Sequence, residues 1–217
     1  MEGGEYQRPV LLMVDSLSVL LVNMVSICLI SARIGYATLH LGIPYYRTRV
    51  LYVPQRPSLL PGSPQDFLLA LSSLDTHKKA GTSANFERIV DIARGWGVDP
   101  QLWDREWSNL SGGEAQRIAL ATAVGLGTAE IVLLDGTLAL LFLHHSMLLY
   151  CPEPTSALDS ISCAAVEKTM TNEIQSIHSP LKAIVWITHS DEQGSRVGTR
   201  FIQIAASGCC EDPVPLV

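Results

Sequence analysis

The chain has 217 residues, of which 47% are hydrophobic and 17% charged, so it is long enough and apolar enough to bury a sizeable core. Its net charge of −6 argues against a primary nucleic-acid-binding protein, because no block of lysine or arginine offsets the acidic excess. The five cysteines are odd in number and show no CxxC spacing, which predicts reduced thiols rather than a disulfide or zinc framework.

An apolar segment at residues 10–32 contains a single charge, that of Asp15. Its length would suffice for a membrane-spanning helix, but a carboxylate inside a bilayer is costly. The residues before it include Glu2, Glu5 and Arg8, a charge balance that does not fit a signal peptide. Integral anchoring through this segment is therefore the less favoured interpretation. The preferred interpretation is that these residues are buried in the fold or are mis-assigned as protein sequence.

Hydrophobic periodicity predicts the remaining elements in chain order. They are a strand at 49–53, helices at 66–74, 84–94 and 114–126, a strand at 131–134, a helix at 160–177, and strands at 183–188 and 201–205. Ser111 and Glu114 have the S-x-x-E spacing of a capping box at the start of the third helix. Strands that alternate with helices and read as continuous apolar runs indicate a parallel α/β sheet covered on both faces.

Polar residues follow three of these strands at the point where each strand ends. The strand "RVLYV" runs through a proline into Gln55, "IVLL" into Asp135, and "AIVWIT" into His189. Ligands of open parallel sheets bind outside the carboxyl ends of the strands. An amide, a carboxylate and an imidazole gathered at one edge suit a site for phosphate and magnesium.

The segment "NLSGGEAQRIAL" at residues 109–120 resembles the signature motif of the ATP-binding cassette (ABC) ATPases. Gly112 and Gly113 allow the backbone to approach a phosphate, and the helix that follows presents its N-terminus to the anion. Ser111 and Glu114 complete the motif. The resemblance implies that these four residues contact ATP.

Other motifs of that family follow in the expected order, over residues 46–205. "YVPQRPSLLPGSPQDF" resembles the Q-loop, "IVLLD" resembles Walker B, "EPTSALD" resembles the catalytic glutamate with the D-loop, and "VWITHS" resembles the switch region. The resemblance implies that Asp135 and Gln55 hold Mg²⁺, Glu153 polarises the attacking water, His189 contacts the γ-phosphate, and Asp159 acts across a dimer seam. It also implies a P-loop NTPase-like fold with a helical subdomain at about residues 66–109.

One departure from the family is the absence of a G-x-x-x-x-G-K-[ST] motif anywhere in the chain. Its lysine and backbone amides hold the β- and γ-phosphates in P-loop ATPases. No lysine occurs before Lys78, so no distorted copy of the motif is present upstream of the Q-loop. We therefore expect an atypical region at residues 1–45, an ATPase domain at 46–217, and an incomplete first lobe.

A second departure separates Asp135 from Glu153 by residues 136–152, which are mostly apolar. The two carboxylates are adjacent in the family, and without this insert the sequence would read "IVLLDEPTSALD". If Gly136 is encoded by GGT and Pro152-Glu153 by CCA-GAA, a segment begins with GT after the first base of the Gly136 codon and ends with AG at the first base of the Glu153 codon. Removing this segment would keep the reading frame and place a glutamate codon directly after that of Asp135. We interpret the insert as retained intron sequence. The rival interpretation is a genuine inserted loop, whose apolar residues would form a sticky patch if exposed.

The implied function is that of a transporter subunit at the cytoplasmic face of a membrane, with ATP and Mg²⁺ as cofactors. Its partners would be a second cassette in head-to-tail arrangement and a transmembrane subunit, and no nucleic acid is expected. Without a P-loop, we expect the ATPase activity of this chain to be weak or absent. The alternative is a non-catalytic cassette that completes a partner's ATP site through Ser111 and Glu114. Cassettes of this family that act in DNA repair and translation fit the Q-loop and "EPTSALD" less well.

Overall fold

The computed structural model describes residues 10–15, 42–54, 61–79, 86–135, 156–188, 191–205 and 208–212. The strands are β1 (Val10–Asp15), β2 (Val50–Val53), β3 (Ile131–Asp135), β4 (Ala183–Thr188), β5 (Arg200–Ala205) and β6 (Gly208–Asp212). The helices are α1 (Ile43–Arg49), α2 (Pro64–Ser73), α3 (Asp75–Lys79), α4 (Phe86–Gly95), α5 (Gly112–Gly125), α6 (Ser156–Gln175) and α7 (Asp191–Val197). Two short 3-10 helices, Pro100–Asp104 and Trp107–Asn109, lie between α4 and α5.

The strands form one six-stranded sheet in the order β2-β3-β4-β1-β5-β6. The pairs among the first five strands are parallel, and β5 pairs with β6 in antiparallel fashion. The α/β class and the parallel sheet predicted from the sequence are confirmed. The antiparallel edge was not predicted, because "GCCED" has no apolar run and is held as a strand by its close pairing with β5.

The apolar segment at residues 10–32 begins as a sheet strand and not as a membrane helix. Residues 10–15 form β1, which pairs with β4 on one side and β5 on the other. A continuous apolar run suits a parallel strand with neighbours on both sides, since both faces of such a sheet are covered. Residues 16–32 lie outside the described part of the chain. Within the described part, no helix is long and apolar enough to cross a membrane.

Capping boxes define the start of two helices. Ser63 caps α2 together with Asp66, and Ser111 caps α5 together with Glu114, as the sequence predicted for the second. Satisfying the free N–H groups of the first turn fixes where a helix begins. The predicted helices at 66–74, 84–94, 114–126 and 160–177 are confirmed with boundaries shifted by a few residues.

The elements that the sequence did not reveal are short. Helices α1, α3 and α7 have five to seven residues, fewer than two turns, so their apolar positions do not repeat often enough to show a period. The region between the predicted helices at 84–94 and 114–126, for which no element was predicted, contains the two 3-10 helices. Tertiary packing holds them, since Trp103 and Trp107 are 2% and 4% exposed.

Helices α4 and α5 pack directly against each other at the centre of the buried core. Ile89 of α4 is fully buried and faces Gly125 of α5, where no side chain separates the two backbones. Aromatic edge-to-face contacts join Phe86 to Trp103, with ring centroids 5.7 Å apart. These contacts hold α4 against α5, which carries the signature segment (residues 109–120) at its N-terminus.

Polar contacts fix α6 to the helices on either side of it. Arg88 of α4 donates to both carboxylate oxygens of Glu173 at 2.9 and 3.0 Å, and Trp96 Nε1 donates to Thr169 Oγ1 at 3.0 Å. On α7, Arg196 makes a bidentate ion pair with the buried Glu167, with both N···O distances 2.8 Å. Helix α6 therefore connects α4 to α7, the helix that follows β4.

Candidate functional site

The carboxyl ends of four parallel strands meet at one edge of the sheet. In the strand register, Asp135 at the end of β3 lies opposite Ile187 of β4, and Asp15 at the end of β1 lies opposite Thr188. Val53, the last residue of β2, lies opposite Leu134. The prediction that the strand carrying Asp135 ends at the same edge as its neighbours is confirmed at the level of the backbone.

Three of the predicted site residues, Gln55, Glu153 and His189, lie outside the described part of the chain. Gln55 is two residues beyond the end of β2, and His189 directly follows β4. Asp159 is in the first turn of α6, where the structure describes the backbone alone. The structure places Asp135 at the sheet edge and Ser111 at the start of α5, and the roles of all these residues stay predictions.

The signature segment forms a well-defined helix N-terminus. Glu114 N donates to Ser111 Oγ at 3.3 Å, and Ser111 N donates to Glu114 Oε2 at 2.7 Å. Ser111 and Gly112 are exposed, and a Cβ added at Gly112 would meet no atom within 4 Å among the described residues. Packing among the described residues therefore does not require a glycine here. An open first turn with exposed N–H groups suits an approaching anion.

The charge of Glu114 depends on its immediate neighbours. Burial raises the pKa of this carboxyl, but hydrogen bonds from Ser111 and the charges of Arg117 and Arg105 lower it more, so the net pKa lies below its ordinary value of 4.5. Glu114 is thus ionised at neutral pH and stabilises the helix N-terminus, where negative charge is favourable. The charges of two arginines thus act on the carboxylate at the start of α5.

Removing the Ser111 hydroxyl should weaken the start of α5. We expect Ser111→Ala to lower the free energy of unfolding by about 1 kcal/mol near pH 7, as loss of an N-cap does in other proteins. Because the folded pKa of Glu114 is lowered, the part of this contribution that depends on the Glu114 carboxylate is complete above pH 4.5 and is lost as pH falls through the folded pKa. The hydrogen bond from Glu114 N to Ser111 Oγ remains, so the effect of Ser111→Ala should become smaller at low pH without vanishing. Urea unfolding of both proteins at pH 7 and below pH 4 measures the difference.

Ser108→Ala is the matched control, since Ser108 is an exposed serine whose hydroxyl donates to Glu106 at 3.3 Å outside any capping box. It should change the free energy of unfolding by less than about 0.5 kcal/mol. A Ser111→Ala effect that persists undiminished at low pH would contradict the capping account.

Two sequence comparisons bear on this arrangement. Over 168 residues the chain is 32% identical to the phosphate import ATP-binding protein PstB of Leifsonia xyli subsp. xyli, covering 75% of this chain and 56% of that protein. Over 165 residues it is 26% identical to the ergothioneine transport ATP-binding protein EgtV of Helicobacter pylori, covering 75% of this chain and 65% of that protein. No family model matches the chain.

A solved structure extends the likeness to the fold. The chain superposes on a dimeric ATP-binding cassette bound to ADP and Pi with a TM-score of 0.62 at 16% identity, covering 97% of this chain and 88% of that one. The chain has the fold and the sequence likeness of an ATP-binding cassette. It spans less than two thirds of the length of the two sequence relatives. The expected P-loop NTPase-like architecture and the resemblance to ABC transporter ATP-binding proteins are confirmed.

The fold contains one strand ending at the sheet edge of Asp135 that the sequence did not reveal. In P-loop proteins, a strand leads into the phosphate-binding loop, and a helix follows. Strand β1 lies beside β4 and ends at the same sheet edge as Asp135, which is the position such a strand needs. The only available signal was the apolar hexamer "VLLMVD", hidden within a longer apolar segment.

The residues that follow β1 do not fit the phosphate groups of a nucleotide. After Asp15 the chain reads "SLSVLLVNMVSIC", without the glycines and the lysine that would supply backbone amides and positive charge. The chain therefore has a strand that ends at this sheet edge, but not the residues of a phosphate cradle after it. Residues 111–114, by contrast, form a capped helix N-terminus.

Proposed function

We propose that this chain is the ATP-binding cassette of a transporter, located at the cytoplasmic face of a membrane, with impaired ATPase activity of its own. The observation that carries the proposal is the capped, exposed "LSGGE" turn at the start of α5 in a cassette fold. The sequence relatives, named for phosphate import and ergothioneine transport, support a transport role. The net charge of −6 supports a protein partner over nucleic acid.

The proposed roles of the site residues follow the family resemblance. Bound Mg²⁺ would neutralise phosphate charge, with Asp135 and Gln55 as its ligands on this chain. Glu153 would orient water, His189 would contact the terminal phosphate, and Asp159 would reach across the dimer seam. On the signature side, the ATP-contacting residues are Ser111, Gly112, Gly113 and Glu114. The position of Asp135 at the end of β3 supports its part in this set.

The proposed partners are a second cassette, arranged head to tail, and a transmembrane subunit. In such a dimer, the signature segment of one cassette faces the phosphate-binding loop of the other. The lack of phosphate-binding glycines and a lysine after Asp15 supports a second candidate function, in which this chain is non-catalytic and completes a partner's ATP site. Both functions use the same face of α5, and they differ in whether this chain binds nucleotide alone.

Nucleotide binding by the isolated chain is the experiment that tests the proposed impairment. We expect isothermal titration calorimetry with Mg-ATP to show no binding in the micromolar range. Without P-loop amides and a lysine, the triphosphate charge is left uncompensated. A variant with a family P-loop lobe joined ahead of β2 is the positive control, and it should bind. Micromolar binding by the unchanged chain would overturn the proposed impairment and favour a fully active cassette.

A further inference from the structure

Helix α7 begins almost directly after the strand end where His189 is predicted to act. Strand β4 ends at Thr188 and α7 begins at Asp191, so two residues, His189 and Ser190, join them. Because so short a connection has little reach, the position of α7 limits where the chain can leave the sheet edge that also carries Asp135. The contacts that α7 makes with the rest of the fold therefore bear on the predicted site.

A helix as short as α7 depends on tertiary contacts. It has seven residues, and helices of fewer than about 12 residues are marginal in water on their own. Gly194 is buried, its carbonyl accepts from Gly198 N at 2.8 Å, and Val197 packs against the buried core. Apolar packing of this kind is not directional, so by itself it does not fix the rotation of α7 about its axis.

A directional contact fixes α7 to α6. Arg196 donates through Nε and Nη2 to the two carboxylate oxygens of Glu167, with both N···O distances 2.8 Å. Glu167 is 4% exposed, and a carboxylate that is buried so deeply needs a partner. A bidentate guanidinium–carboxylate pair fixes direction as well as distance, so it determines how α7 lies on α6.

Helix α6 is a firm support for this ion pair. Val166 and Met170, which lie on either side of Glu167 in the sequence of α6, are fully buried in the core. Further along α6, Glu173 accepts from Arg88 of α4 through both of its carboxylate oxygens. The core thus sets the position of Glu167, and α7 is the element that Glu167 positions.

We propose that Glu167 and Arg196 are positioning residues for the predicted ATP site, because their ion pair holds α7 in place and so fixes its two-residue connection to β4. The proposal rests on the proposed function, since the pair acts through His189. Neither residue contacts nucleotide in this role. Both lie outside the family motifs, of which "EPTSALD" ends at Asp159 and "VWITHS" ends at Ser190.

Glu167→Gln and Glu173→Gln are the matched variants, compared in the full chain without nucleotide. Each removes the carboxylate charge of a bidentate Arg–Glu pair on α6, but Glu167 is paired with α7 and Glu173 with α4. We expect hydrogen exchange of the α7 amides to become about tenfold faster in Glu167→Gln, because losing charge-assisted hydrogen bonds makes local opening of that helix easier. In Glu173→Gln, these amides should exchange as they do in the unchanged chain.

The imidazole resonance of His189 is the readout that a merely structural role of the ion pair would not move. Comparison with His189→Ala assigns it in a ¹H–¹³C spectrum of the full chain. We expect this resonance to shift in Glu167→Gln and in Arg196→Gln, and to stay in place in Glu173→Gln. Arg196→Lys keeps the charge but not the bidentate geometry, so it should cause a smaller shift than Arg196→Gln. The Arg196 side chain is 51% exposed, so these two variants disturb the core least.

Turnover is measured in a variant that lacks residues 136–152 and carries a restored P-loop lobe ahead of β2. There, Glu167→Gln should lower kcat about tenfold with little change in KM for ATP, because a misplaced His189 acts mainly on the transition state. Glu173→Gln should leave both constants unchanged.

An unmoved His189 resonance in Glu167→Gln, or equal effects of the two glutamate substitutions, would overturn the positioning role. Absence of ATPase activity in the repaired variant before any further substitution would count against the proposed function. In that case the resonance and exchange measurements in the full chain still decide the positioning role, so the two proposals fail separately.

Discussion

Glu153→Gln is expected to abolish ATP turnover in a variant that lacks residues 136–152 and carries a restored P-loop lobe ahead of β2. Removal of the insert places Glu153 directly after Asp135, at the carboxyl end of β3 where the sheet edge holds the proposed site. The substitution keeps the size and hydrogen bonding of the side chain but removes the charge needed to orient and deprotonate water. We expect a decrease in kcat of about 100-fold or more, with ATP binding retained.

The control is the same substitution in a variant that keeps the insert and carries the same restored P-loop lobe. There, Glu153→Gln should leave the residual activity nearly unchanged, because the insert already separates the two carboxylates along the chain. The measurement is ATPase activity in all four proteins, together with gel filtration in the presence of ATP. We expect the repaired Glu153→Gln variant to accumulate as a closed dimer. Equal losses in both backgrounds would show that residues 136–152 form a loop that leaves the site intact.

Gly125→Ala is expected to destabilise the fold by about 1–3 kcal/mol, as overpacking of a buried core does. A Cβ at position 125 would lie 2.5 Å from Ile89 Cγ1 and 2.9 Å from Ile89 Cα. The side-chain atom can move, but the second contact is with backbone, so α4 and α5 would have to separate. Urea denaturation followed by tryptophan fluorescence measures the loss, since Trp96 and Trp103 are buried in the same core.

Gly95→Ala is the matched control for this prediction. Gly95 ends α4 as Gly125 ends α5, but a Cβ there would meet no atom within 4 Å among the described residues. It should leave the free energy of unfolding unchanged or raise it by about 0.4–1 kcal/mol, because alanine restricts the unfolded chain. In a double-mutant cycle, Ile89→Ala should recover only part of the stability that Gly125→Ala removes, because the close contact with Ile89 Cα is a backbone contact and remains. Full relief, or similar effects of both glycine substitutions, would contradict close packing of the two helix backbones.

Local sequence signals were sufficient for the elements with a strong period or a cap. The capping box at Ser111 and Glu114 could be predicted because the S-x-x-E spacing is itself the contact that starts α5. The strand that ends at Asp135 could be predicted because a buried parallel strand is a continuous apolar run. The placement of Asp135 at a shared sheet edge followed from the general geometry of parallel sheets.

The sequence by itself determined the α/β class, the order of the main helices and strands, the cap of α5 and the absence of a P-loop motif, since each follows from residues close together in the chain. Tertiary structure alone decided that residues 10–15 are a strand between β4 and β5, because an apolar run has the same local pattern in a strand, a helix or a membrane segment. It also decided that an apolar groove of about 570 Å³ lies between α1, β2, α2, α3 and α5, with His77 and Trp107 in its lining. These two side chains are 30 residues apart in sequence, and only packing of five elements leaves a shared cavity between them.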